Sequence, residues 1–93
     1  MEARGALNVR YTPRAENDLA KIIDYLTPLS PGGARNVAAT LREAIQAVSV
    51  HPFSGRRTRR PAILVKIVPG YPYRIFYRLG EDSIEILHIR HAS

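Results

Sequence analysis

Residues 73–79 read Tyr-Arg-Ile-Phe-Tyr-Arg-Leu, and residues 83–91 read Ser-Ile-Glu-Ile-Leu-His-Ile-Arg-His. Gly80-Glu81-Asp82 separates them. Both runs are rich in β-branched and aromatic residues, so each reads as a strand. The tight turn makes them a hairpin. A three-residue turn sets Leu79 opposite Ser83, Phe76 opposite Ile86 and Arg74 opposite His88. Tyr73 and Ile75 then face the core with Leu87 and Ile89, and Arg74, Arg78, His88 and Arg90 share the other face. A two-residue turn would reverse the faces of one strand.

Working upstream, Pro69-Gly70 and Pro72 punctuate a turn. Before it, Ala62 to Val68 is nearly continuous apolar sequence, interrupted by Lys66, and reads as another strand. Upstream of Pro61 the period changes. Ala34, Val37, Ala38, Leu41, Ala44, Ile45 and Val48 recur at helical spacing after the start signal Ser30-Pro31, predicting a helix near 31–51. Ala15, Leu19, Ile22, Ile23 and Leu26 do the same after Thr12-Pro13, predicting a helix near 13–28. The short connection makes the two helices antiparallel neighbours. Leu7 to Tyr11 alternates at period two and reads as a first strand. The order β-α-α-β-β-β implies an α+β fold, with a helical hairpin on one face of a mainly antiparallel four-stranded sheet.

The length of 93 residues suits a single domain, 1–93, with residues 1–6 as an extension upstream of the first strand. There is no cysteine, so disulfides and thiolate metal sites are excluded. No apolar run approaches the ~20 residues needed to cross a bilayer. Residues 1–6 lack the apolar core of a signal peptide. A cytoplasmic protein without a membrane role is expected. Lys and Arg number 14 against 8 acids, a net charge of +6, and all but Lys21 and Lys66 are arginine. Guanidinium forks onto phosphate or carboxylate, so RNA, DNA and an acidic protein are all suitable partners.

Between Pro52 and Pro61 runs a loop carrying Arg56, Arg57, Arg59 and Arg60 around Thr58. It could bind phosphates, bind an acidic protein, or simply be solvated. Arg74, Arg78, His88 and Arg90 on one sheet face could hold a phosphate and move a proton. Ion pairing of Arg74 with Glu85 or Asp24 would serve structure equally well. Tyr71 and Tyr73 could stack on a base, although Tyr73 also suits the core. His51, His88 and His91 lack a metal-ligand spacing, and no phosphate-binding glycine loop or serine triad occurs. No metal or cofactor is expected.

Three segments together resemble the ParE/RelE toxins of bacterial type II toxin–antitoxin systems. They are Tyr11-Thr12-Pro13-Arg14-Ala15 with Asp18-Leu19, His51-Pro52-Phe53-Ser54-Gly55, and the pair Tyr73–Arg78 and Ile84–His91. The resemblance runs from about Leu7 to Ser93. It implies a toxin neutralised by an antitoxin that wraps it, with operator DNA bound only through that antitoxin. RelE-like members cut mRNA on the ribosome, and ParE-like members poison DNA gyrase. Arg74 matches the arginine of the RelE-like Tyr-Arg motif. Lys66 stands where those nucleases carry a pair of basic residues, and His88 or His91 would move the proton. The RelE-like pattern also implies basic residues and a tyrosine after the last strand, which the sequence through Ser93 does not supply. Together with the Pro-Phe-Ser-Gly turn, this directs the expectation to the ParE side. A ribosome-dependent nuclease and an inactive, antitoxin-binding remnant are the alternatives. On any of these readings Arg56, Arg57, Arg59, Arg60, Arg74, Arg78 and Arg90 are the expected contacts to target or antitoxin.

Overall fold

The structure, a computed structural model, describes residues 6–92. Most of the expected upstream extension, 1–5, therefore lies outside the described residues. The elements run β1 (Asn8–Tyr11), α1 (Pro13–Leu26), α2 (Pro31–Val50), β2 (Arg56–Arg57), β3 (Ile63–Ile67), β4 (Tyr73–Leu79) and β5 (Ser83–His91). Both helices begin as their sequences require. The Thr12 and Ser30 hydroxyls accept from the amides of Ala15 and Gly33 at 3.1 and 3.0 Å, and Pro13 and Pro31 follow each cap. α1 stops two residues short of the expected end and α2 one residue short.

One sheet of five strands, in the order β1-β5-β4-β3-β2, lies under the helical hairpin. The expected α+β class and the helical hairpin on the sheet hold, but the strand number changes from four to five. The added strand lies inside the loop, where Arg56 pairs with Val65 and Arg57 with Leu64. A two-residue strand has no periodicity to betray it. β1 runs parallel to β5, and the remaining pairings are antiparallel. The helix-facing side carries Ile75, Tyr77, Ile84 and Ile86, all fully buried against Ala15, Leu41 and Val48.

The β4–β5 register differs from expectation twice. The turn is one residue longer, closed by the Gly80 amide donating to the Ser83 carbonyl at 2.7 Å, so Leu79 pairs with Ile84 and not with Ser83. Ile84 and Ile86 therefore face the core, and Glu85 faces outward beside Arg78. A β-bulge then follows: Tyr77 pairs with Ile86 but Phe76 pairs with His88, and Leu87 is the extra residue. Arg74 consequently lies opposite Arg90, not His88. The two shifts add to two residues. Beyond the bulge each side chain therefore returns to the face the simpler register gave it.

β1 ends opposite Ile86, so the outer edge of β5 beyond it has no strand to pair with, and α1 satisfies it. The Thr12 hydroxyl donates to the Leu87 carbonyl at 2.7 Å, and the Ile89 amide donates to Asp18 Oδ2 at 3.0 Å. The cap and first two turns of α1 thus carry both clamps. Replacing Asp18 by Ala leaves the Ile89 amide without its acceptor. That amide should then exchange with solvent at least about tenfold faster, the equivalent of one lost charge-assisted hydrogen bond. Asp18→Asn, which keeps an acceptor, should recover most of the protection. Equal protection in wild type and Asp18→Ala would show that the clamp holds nothing.

Tyr77 secures the other end of the sheet. Its buried hydroxyl donates to the Pro52 carbonyl at 2.8 Å and accepts from the Gly55 amide at 3.0 Å. Any Cβ at Gly55 would collide with that ring. The Pro-Phe-Ser-Gly turn therefore needs glycine because a tyrosine is tied beneath it. Tyr77→Phe strands one carbonyl and one amide, costing about 2 kcal/mol. In a domain of this size that appears as a fall in Tm of about 10 °C by circular dichroism. An unchanged Tm would mean that water takes over both bonds.

Candidate basic face and cleft

Alternation along the strands decides which basic residues can act together. The sheet face turned away from the helices, here the open face, presents Arg74, Phe76 and Arg78 from β4. Beside them stand Glu85, His88 and Arg90 from β5 and Arg10 from β1. From β3 it takes Ile63, Val65 and Ile67, the partners of Arg78, Phe76 and Arg74. The expected grouping of Arg74, Arg78, His88 and Arg90 is thus present.

Within it, the arginines differ. Arg78, not Arg74, forms the ion pair with Glu85. Among the described residues Arg74 has no carboxylate partner, and it shares a shallow cleft of about 190 Å³ with Phe76, Arg90, His91 and Ala92. Lys66 is on the other side. It pairs with Ile75, a fully buried core residue, so the sheet separates its ammonium from Arg74. The two residues that the RelE-like alternative would use, Lys66 and Arg74, therefore stand on opposite faces. His91 pairs with Tyr73 and stands edge-on to that ring, centroids 5.5 Å apart. Tyr73 is a core residue, and Tyr71 packs against the core beside it. Arg56 shares the side of its partner Val65 and Arg57 that of Leu64, so the arginine run is split between the two faces.

A second cleft, of about 400 Å³, lies on the other side of Phe76. Arg14, Thr58, Arg59, Arg60, Ile63, Phe76 and His88 line it. The turn on its rim is ordered by one side chain. Thr58 Oγ1 lies within hydrogen-bonding distance of the Arg60 and Ile63 carbonyls, at 2.9 and 2.8 Å, and accepts from the Arg60 amide at 3.1 Å. Arg59 and Arg60 therefore project from a fixed turn and not from a loose loop. Arg14 arrives from the first turn of α1, with its Nε 4.0 Å from Asp18. In the sequence Arg14 belongs to the start of the first helix and Phe76 to a strand. Nothing local joins them to the arginine loop; the signal would have been Thr58, a hydroxyl able to tie its own backbone.

His88 forms the floor. Its ring stacks on Phe76 with centroids 4.4 Å apart and planes within 8°. Its Nδ1 is buried without a hydrogen-bond partner. Burial pushes its pKa below the usual histidine value; Arg14 and Arg90 push the same way, and Asp18 opposes them. The imidazole is thereby held neutral near physiological pH. Among the described residues no cluster of three or more His, Cys, Asp or Glu could hold a metal. No helix is long and apolar enough to cross a membrane.

Comparison with known proteins agrees with this architecture. Residues 9–93 match the family described as the ParE toxin of the type II toxin–antitoxin system parDE. A putative toxin, Y4kP, of Sinorhizobium fredii is 34% identical over 84 residues, covering 90% of this chain and 86% of its own. Toxin RelE2 of Caulobacter vibrioides is also 34% identical, over 85 residues, with 91% and 94% covered. Among solved structures, a chain of the chromosomal ParDE system from P. aeruginosa superposes with a TM-score of 0.82. It shares 21% identity, covers 95% of this chain and 98% of its own, and so supports the fold. A chain of the RelBE2 toxin–antitoxin complex from Mycobacterium tuberculosis gives a TM-score of 0.70 at 25% identity, with both chains fully covered. The helical hairpin on its mixed sheet and the match over nearly its whole length place this chain in the ParE toxin family of type II toxin–antitoxin systems.

Proposed function

We propose that this toxin works by binding its target, DNA gyrase, in the cytoplasm, and that it does not cut RNA. The observation that carries this reading is the surroundings of Arg74. A metal-free ribonuclease needs a phosphate clamp, a proton-transfer group and an orienting group held together. Beside Arg74 on the open face stand Ile67 and Val65, while Lys66 turns to the helix side. His88 is neutral, stacked, and has no partner to orient its buried nitrogen. What remains is an arginine-bearing, partly apolar surface, which suits adhesion better than catalysis.

A cognate antitoxin silences the toxin on this reading. The two solved relatives come from toxin–antitoxin systems, and the net charge of +6 favours an acidic partner segment. Operator DNA would be reached only through that antitoxin. One specific observation favours the nuclease alternative: a relative named RelE2 is 34% identical over nearly the whole chain. Arg74, His88 and Arg90 also share one face.

Two assays separate the readings. Gyrase supercoiling should fall, and cleaved DNA should accumulate, when the purified chain is added. In parallel, primer extension on translated mRNA should show no new ends, with or without Arg74→Ala. Cuts that appear with the wild-type chain and vanish in Arg74→Ala would make this a ribosome-dependent nuclease. A chain that slows growth in neither assay's setting yet still binds its antitoxin would be an inactive remnant.

A further inference from the structure

The cleft lined by Arg14, Arg59, Arg60 and His88 adjoins the Arg74 cleft at Phe76, and the argument drawn from Arg74 does not call on it. Its ligand can be read from its chemistry. Three arginines line it from two separate segments, the first turn of α1 and the Thr58 turn. Among the described residues the ion pairs are Arg14–Asp18, at the 4.0 Å limit, and Arg78–Glu85. Arg59 and Arg60 thus have no carboxylate there to answer them. Holding like charges around one cavity is unfavourable unless an anion fills it. The Thr58 turn gives two of them a fixed backbone, so little order has to be gained when the anion arrives.

The anion can be narrowed further. Guanidinium forks match phosphate and carboxylate alike, but even with Asp18 set against Arg14 the three arginines leave more charge than a single carboxylate balances. The floor is an aromatic pair, Phe76 on His88, with Ile63 beside it. A flat apolar floor beneath a ring of arginines suits a ligand with a planar base and a phosphate. A volume of about 400 Å³ falls in the usual range for a small organic ligand.

We propose that this cleft binds a nucleotide unit, with its phosphate held by Arg14, Arg59 and Arg60 and its base resting against the Phe76–His88 pair. The phosphate ester could come as a free nucleotide or as one unit of a nucleic-acid strand. Either source presents the same chemistry to the cleft. Binding also couples to protonation of His88. The groups that face that imidazole are Arg14 and Asp18 from α1 and Arg90 from its own strand, with Arg59 and Arg60 across the cleft. A bound phosphate offsets the arginines that disfavour the imidazolium, so the occupied cleft raises the pH at which His88 takes up its proton.

The test uses the full chain with adenosine 5′-monophosphate, inorganic phosphate and a short single-stranded oligothymidylate. Solution NMR follows the His88 ring and the Ile63 methyls, with the Ile67 methyls as a control beside Arg74. The expected result is saturable movement of the His88 and Ile63 signals, with Ile67 still, and a His88 titration shifted to higher pH by adenosine monophosphate. Arg59→Gln combined with Arg60→Gln should weaken binding about tenfold or more without lowering Tm, because both side chains are exposed. Arg14→Gln should weaken it independently. Tighter binding by the oligonucleotide than by the mononucleotide assigns the source as a strand; equal binding assigns it as a free nucleotide. Movement centred on Ile67, no saturation with any phosphate ligand, or equal affinity for a polyglutamate peptide would overturn the proposal.

Discussion

Everything on the open face depends on the bulge at Leu87 and on the two α1 side chains that hold it. Without the extra residue, the pairing that starts at Leu79–Ile84 would run on with Phe76 opposite Leu87 and Ile75 opposite His88. His88 and Arg90 would then point into the helix side, and Ile89 would be expelled. An imidazole and a guanidinium buried among Ile75, Leu41 and Val48 would cost far more than one disrupted ladder step. The bulge is therefore the cheaper arrangement for this sequence, provided the β5 edge beside and beyond it, which β1 does not reach, finds partners. Thr12 and Asp18 supply them at 2.7 and 3.0 Å. The same hydroxyl caps α1, so the start of the helix and the register of β5 are fixed by one residue.

This coupling explains how a small domain keeps a defined surface. Its core is one layer of side chains between a hairpin of helices and a twisted sheet. Two long-range ties bracket it. At one end Thr12 and Asp18 reach across to Leu87 and Ile89; at the other the Tyr77 hydroxyl joins Pro52 to Gly55. Each tie anchors an arginine-bearing segment, α1's first turn with Arg14 and the turn that leads into Arg56. The basic cleft lies between the two anchored segments, so its geometry follows from the bonds that fix the fold.

Much of this was legible in the sequence, and the failures have identifiable causes. Helix starts were readable because Thr12-Pro13 and Ser30-Pro31 act locally, and the core stripes because periodicity is a property of one segment. The strand at Arg56–Arg57 was not, because two residues contain no period. The bulge left a trace: the apolar positions of the last strand run Ile84, Ile86, Leu87 and Ile89, and the adjacent pair Ile86-Leu87 breaks the period of two where the extra residue stands. The expected register weighed only turns of two and three residues and allowed for no bulge. It nevertheless grouped Arg74, Arg78, His88 and Arg90 correctly, since a longer turn and a bulge cancel in parity. The resemblance placed Lys66 among the basic residues of the nuclease alternative, and strand alternation puts it on the opposite face from Arg74. The cleft was invisible because its walls come from α1, the arginine loop and two strands, and only the folded chain brings them together.

Arginine's predominance over lysine gains its meaning from what surrounds it. On the open face the cations stand beside Ile63, Val65, Ile67 and Phe76. A strongly hydrated ammonium would resist that setting, whereas a guanidinium can lie on apolar or aromatic surface and still donate in its own plane. The two lysines are accordingly elsewhere, Lys21 exposed on α1 and Lys66 on the helix side of β3. A surface of this kind binds anionic, partly apolar partners through area and forked hydrogen bonds together. Its affinity should therefore fall less steeply with salt than that of a purely cationic patch with the same charge, since part of the attraction is not electrostatic.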